Sequence, residues 1–138
     1  MLRVQRHGKV VYERAFGMRD REAKDSMRPD AIFRIASQTK ALVSVGIMML
    51  QEEGKLLIDQ PVSRYLPEWE KTTVAVAKNG GGYDVVPAKR RITIRDLLTH
   101  TAGIGYGYGP ASDQWKAAGI QGWYFADRNE TVAAVVKR

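Results

Sequence analysis

Ser37 and Lys40 are the residues of this chain whose types and spacing can do chemistry. They stand three apart, and residues three apart share one face of a helix, so a hydroxyl and an amine can meet. They open a run, Ala41-Leu42-Val43-Ser44-Val45-Gly46-Ile47-Met48-Met49-Leu50, that is apolar nearly all round. A helix start offers unpaired N–H groups and positive potential, both of which favour a developing alkoxide. That combination is the local equipment of a nucleophilic serine with a lysine beside it. A lysine that takes the hydroxyl proton near neutrality must itself be neutral there, which asks for a desolvated setting at the helix mouth. The backbone N–H of Ser37 would then serve as one donor of an oxyanion hole.

The spacing alone is a weak signal. Ser and Lys are so common that about one chain in two of this length carries the pattern by chance. An N-cap serine followed by a solvated lysine would read the same way. The composition of the following helix is what adds weight, because it reads as a core helix and places the lysine at the edge of an apolar body.

Other elements must position the pair. Val4-Gln5-Arg6 and Lys9 to Phe16 flank His7-Gly8 and predict a β-hairpin, with Val10, Tyr12 and Phe16 on one face and Val11 and Ala15 on the other. The Ser37 helix is expected to end at Gly54, a natural residue just past a helix C-terminus. Pro61 to Leu66 predicts a short helix, capped near Asp59 or Gln60 and stopped by Pro67. Thr72 to Ala77 and Tyr83 to Val86 predict a second hairpin around Asn79-Gly80-Gly81-Gly82, with a mobile loop as the alternative. Thr93 followed by Asp96 predicts a capping box opening a helix to His100. Asp127-Arg128-Asn129-Glu130 predicts another helix start, with Thr131 to Arg138 helical. Gly103 to Pro110 holds four Gly and two Tyr, but lacks the βαβ setting and the Lys-Ser/Thr of a phosphate loop.

Composition narrows the classes. The 138 residues are 44% hydrophobic with a formal charge of +7, enough for one domain with a sizeable core. With no Cys and only two His, neither a disulfide framework nor a metal centre is expected. The basic residues are scattered, Lys89-Arg90-Arg91 being the one tight cluster, and no groove-reading motif accompanies them, so nucleic acid is not an expected partner. Ala41 to Leu50 is too short to span a bilayer. Met1-Leu2-Arg3-Val4 runs straight into a strand pattern with no secretory leader. That implies a cytoplasmic protein if Met1 is the true start, and a periplasmic or secreted one if a leader lies upstream.

Phe33-Arg34-Ile35-Ala36-Ser37-Gln38-Thr39-Lys40 resembles the nucleophile segment of the class C β-lactamase and family VIII carboxylesterase group, serine hydrolases related to penicillin-binding proteins. Gly8 to Gly17 resembles that group's N-terminal hairpin. Glu53-Gly54-Lys55-Leu56 and Asp59-Gln60-Pro61-Val62-Ser63-Arg64-Tyr65-Leu66-Pro67 resemble the exit from its nucleophile helix. Ile92-Thr93-Ile94-Arg95-Asp96-Leu97-Leu98-Thr99-His100-Thr101-Ala102-Gly103-Ile104 resembles its next signature. The resemblance covers nearly the whole chain, with the motifs in order.

The resemblance implies an α+β fold of β-lactamase/transpeptidase type, here incomplete. Residues 1–138 would be the N-terminal part of a single catalytic domain, with the C-terminal strands and helices missing. It implies acyl transfer to water with no cofactor, Ser37 as nucleophile and oxyanion donor, and Lys40 as general base or as the group that orients the hydroxyl. The substrate would be a small ester or amide. Ester hydrolysis is favoured; β-lactam and D-amino-acid peptide hydrolysis remain open, as does a non-catalytic binding or regulatory module. The family's Tyr-containing second motif and its Lys-Thr-Gly-type third box are not found. Tyr106, Tyr108 and Tyr124 lack the expected setting and read as loop or rim residues, with Tyr106 and Tyr108 as candidate substrate contacts. Oligomeric state has no signature. Two strands alone are marginal in water, so the helix is expected to expose Leu42, Val45 and Met49.

Overall fold

The computed structural model describes residues 1–120 and Ala134. Two compact units divide the chain, Met1–Leu42 and the residues from Val43 onward. The fold is α+β, with small antiparallel sheets and few helices.

In the first unit, β1 (Leu2–Arg6) pairs antiparallel with β2 (Lys9–Arg14). The two-residue loop places His7 at φ 48 and Gly8 at φ 75. Positive φ at both central residues matches the right-handed twist of the strands, which is why a short hairpin forms here. The register steps between Val4 and Gln5, which face Tyr12 and Val10, so Val11 is an inserted residue. The bulge breaks the strict alternation that put Val10 and Tyr12 on one face and Val11 on the other. A shorter pair follows, β3 (Met18–Asp20) with β4 (Asp25–Ser26), tied by an Arg19–Asp25 ion pair.

The long helix, α1 (Thr39–Glu52), is entered through a 3-10 turn at Ala36–Gln38. It ends as expected. Gly54 sits at φ 69, its N–H donates to Gln51 O at 2.9 Å, and the Lys55 N–H donates to Leu50 O at 2.9 Å. This is a Schellman closure, which glycine permits because it lacks a Cβ. No residue of α1 is buried, and Leu42, Val45 and Met49 are 66%, 59% and 55% exposed.

The core of the second unit is Leu56, Val62 and Ile94, with Ile47, Ile58, Leu66, Trp69, Ile92 and Leu98 packed around them. The short helix expected over Pro61 to Leu66 forms as one 3-10 turn, Val62–Arg64, with Pro61 at its cap in place of Asp59 or Gln60; it ends before Pro67, which opens a second turn, Pro67–Trp69. Proline suits this place because its φ is pre-set for a first helical position and it needs no N–H partner there. Backbone bonds lash residues 58–62 to residues 92–95, which lead into and begin α2 (Ile94–Leu98): Val62 N–H to Ile92 O at 2.8 Å, Ile94 N–H to Gln60 O at 3.1 Å and Arg95 N–H to Ile58 O at 2.7 Å. Arg95 adds a bidentate pair to Asp59, at 2.7 and 3.0 Å.

The capping box is present. Thr93 Oγ1 accepts from the Asp96 N–H at 3.2 Å, and Asp96 Oδ2 accepts from the Thr93 N–H at 2.8 Å. Asp96 also takes both guanidinium nitrogens of Arg90, at 2.6 and 2.9 Å. α2 closes with the same motif as α1, but His100 at φ 57 takes the glycine's place: its N–H donates to Leu97 O and that of Thr101 to Asp96 O. The second hairpin forms, β5 (Thr73–Ala77) with β6 (Tyr83–Pro87), in continuous register, and Tyr83 Oη donates to Asp113 at the start of α3 (Ser112–Ala117). The expected helix start at Asp127–Glu130 lies outside the described residues; within Thr131–Arg138 only Ala134 is described, and it is helical. Among the described residues no helix is long and apolar enough to cross a membrane.

With so little apolar side chain buried among the described residues, the 138-residue chain by itself should bind the dye ANS strongly and melt without a cooperative transition; a sharp calorimetric peak without dye binding would contradict this. The Asp96 carboxyl is held well below the usual carboxylate range, first by the Arg90 guanidinium and then by Thr93. A depressed folded value means stability that is present above the unfolded value of about 3.9 and lost as pH falls through the folded one. Asp96→Asn should therefore lower the melting temperature of the whole protein at pH 7 and narrow its difference between pH 7 and pH 3. Thr93→Ala should cost about 1 kcal/mol of stability through the lost cap.

Candidate active site

The peptide from Ile32 to Val43 is exposed throughout and carries the chemistry of the first unit. Ser37 lies inside the 3-10 turn, and Lys40 is the second residue of α1. The turn ties itself together by the Gln38 N–H donating to Ile35 O at 3.0 Å and by the Thr39 N–H donating to Ala36 O and Ser37 O. The spacing of three then brings the side chains into contact, and Lys40 Nζ donates to Ser37 Oγ at 3.1 Å. No acidic residue occupies the first turn of α1, so nothing there offsets the positive end of the helix.

This contact does two things at one distance. With the amine charged, Nζ–H donates and fixes an Oγ lone pair. With the amine neutral, the same separation lets the hydroxyl donate to nitrogen, which is the geometry of proton removal. The expected desolvation of Lys40 is not seen. Lys40 is exposed, because every residue from Ile32 to Val43 is exposed and no apolar cover is packed over the helix mouth among the described residues.

Tyr106 and Tyr108 belong to the second unit, in the Gly-rich stretch after α2, and are 55% and 85% exposed. Gly107 between them has φ 79 and lies 3.6 Å from the Trp115 ring, measured from where a Cβ would stand, so this loop leans on the indole of α3. Tyr124 lies outside the described residues. Among the described residues no three His, Asp or Glu side chains come together as a metal-holding group. One feature of the segment had no sequence signal. Ala36, immediately before Ser37, has φ 44, a conformation that alanine does not advertise as a glycine would.

A family profile described as beta-lactamase matches residues 1–137. The chain belongs to the beta-lactamase family. Similar proteins carry varied names within it. Esterase EstB of Burkholderia gladioli is 42% identical over 103 residues, which is 75% of this chain and 24% of the relative. The protein named putative penicillin-binding protein PbpX, of Bacillus subtilis, is 32% identical over 145 residues, covering 96% of this chain and 33% of that protein. The mitochondrial serine beta-lactamase-like protein LACTB of Bos taurus is 34% identical over 97 residues, 70% of this chain and 16% of the relative. The chain thus spans about a quarter of the length of EstB. The Ser37–Lys40 contact lies within the residues that the family profile matches.

Proposed function

We propose that the whole protein is a serine hydrolase that cleaves carboxylic esters through an acyl-enzyme on Ser37, and that this chain supplies the nucleophile part of its single catalytic domain. The observation that carries the reading is the 3.1 Å contact between Lys40 Nζ and Ser37 Oγ at the head of α1 in a beta-lactamase family chain. Ser37 Oγ attacks the ester carbonyl carbon, and its proton passes to Lys40. The carbonyl oxygen becomes an oxyanion that accepts from the Ser37 N–H. The carbon–alkoxy bond breaks, the alcohol leaves with the proton, and water then releases the acid and restores Ser37. The ester preference is supported by the name and 42% identity of EstB. The proposal keeps Tyr106 and Tyr108, both exposed in the Gly-rich loop, as candidate substrate contacts on the family resemblance alone.

Ser37→Ala in the protein expressed from its complete reading frame should reduce ester turnover on the order of 10⁴-fold or more. A fluorophosphonate probe should label Ser37; labelling at Ser44, Ser63 or Ser112 instead would sink the assignment. A reading frame without a Tyr-containing second motif and a third box would favour the non-catalytic module.

Lys40→Arg separates the two roles of the lysine. Arginine keeps the charge but does not deprotonate near neutrality. If Lys40 removes the proton, Arg should be nearly as damaging as Ala. Near-normal acylation of the Arg variant would leave Lys40 as an orienting charge only.

A further inference from the structure

The tip of the second hairpin sets an asparagine before a glycine that the turn does not need. Two backbone bonds close β5 onto β6 there: the Lys78 N–H donates to Gly82 O at 3.1 Å, and the Gly81 N–H donates to Lys78 O at 3.2 Å. Asn79 and Gly80 are the central residues of the β-turn that the second bond spans. Both are exposed, as are Gly81 and Gly82. Neither the Asn79 amide nor the Gly80 N–H has a hydrogen-bond partner among the described residues. Gly80 does not take the left-handed backbone, and nothing stands within 4 Å of where its Cβ would be, so any small residue would fit the turn. What the glycine does remove is the side chain that would screen its own nitrogen from the neighbouring amide. Gly81 and Gly82, at φ 92 and φ 76, add backbone freedom that lets the turn open and the two groups close on each other. The chain's other asparagine, Asn129, is followed by Glu130 and keeps that screen.

We propose that Asn79 is a site of spontaneous modification, deamidating through a succinimide with Gly80 to a mixture of aspartate and isoaspartate. Asparagine amides are among the thermolabile groups of proteins. The Gly80 nitrogen gives up its proton to hydroxide and attacks Asn79 Cγ. The N–Cγ bond forms, the Cγ–Nδ2 bond breaks, and the nitrogen leaves as ammonia with a proton from water. Water then opens the ring at either carbonyl. Breaking the new N–Cγ bond gives an aspartate in the ordinary linkage. Breaking the original bond between Asn79 C and Gly80 N sends the chain through the former side chain and adds a methylene to the turn. Both products put a carboxylate beside Lys78, whose Nζ lies 2.6 Å from Asp84 Oδ1, so two acids then compete for one amine. The isoaspartate product also lengthens the turn that sets Ala77 opposite Tyr83. The reaction uses only water and is independent of the acyl-enzyme reading.

The test is incubation of the protein expressed from its complete reading frame at mildly alkaline pH, followed by peptide mapping with mass spectrometry. The peptide that holds Asn79 should gain the mass of an amide-to-acid conversion and separate into two chromatographic forms, aspartate and isoaspartate. The intact protein should shift to a more acidic form on ion exchange. The rate should rise with hydroxide concentration and should be close in native protein and in protein unfolded by urea. Asn129 in the same digest is the internal control and should stay unconverted. Gly80→Ala, which the open space and ordinary φ accept, should leave Asn79 intact over the period in which most of the wild type converts. Asn79→Gln, which removes the reacting amide's short tether, is the second variant if Ala at position 80 disturbs the melting temperature, and it should keep the ion-exchange profile unchanged over that period. Conversion in urea with Asn79 intact in the native protein would overturn the proposal, because the folded turn would then protect the amide. Equal conversion of a folded Gly80→Ala variant, or aspartate formed without isoaspartate, would overturn the succinimide route.

Discussion

The structure depends on one constraint: α1 must be apolar along its length yet begin with two polar side chains in contact. Apolar side chains around a helix ask to be surrounded, while a nucleophile has to be reached by its substrate. The chain leaves Ser37, the nucleophile proposed above, exposed at the helix head in contact with Lys40, and the first turn holds no acidic residue. It meets the first demand near the other end. Ile47 packs against the core, and Gln51 Oε1 accepts from the Ile58 N–H at 3.0 Å. Between these points Leu42, Val43 and Val45 stand exposed.

A polar centre organises the second unit as much as its small core does. Asp96 is 7% exposed, yet it is fully employed: it receives the Thr93 N–H, the Thr93 hydroxyl and two nitrogens of Arg90. A carboxylate shielded this far from water is tolerated only when its lone pairs are taken up. Because those donors come from the loop before α2 and from its cap, one side chain fixes the course of residues 90–96. Asp59 and Arg95 do the same across 36 residues of sequence, in a more exposed setting where the pair contributes register more than stability.

Much of this was legible in the sequence because it is written in local rules. His7-Gly8 needs positive φ, Gly54 lacks a Cβ, and Thr93 stands three before Asp96; each names its own structure. Ser37 and Lys40 were legible for the same reason, since helical spacing alone brings them together. What was misread depended on context. Pro67 follows the end of one 3-10 turn and opens the next, because proline fits a first helical position as well as a stop, and the residue type alone does not say which. Val11 was placed by strict alternation, which a bulge cancels without any marker residue. The exposure of Lys40 depends on which atoms lie over it, and a pattern of residue types along the chain does not carry that. Ala36 and His100 adopt glycine-like angles without being glycine, so their roles emerge only from backbone geometry.

The core of the second unit draws on residues from Ile47 to Leu98, so it cannot close before Leu98 has been made. Ribosomes deliver chain at roughly 5–20 residues per second, so some seconds pass between the appearance of the head of α1 and that of Leu98. The exposed apolar side chains at the head of α1 emerge before it does. The order of synthesis therefore leaves the helix headed by Ser37 and Lys40 for some seconds without the residues that pack against its far end.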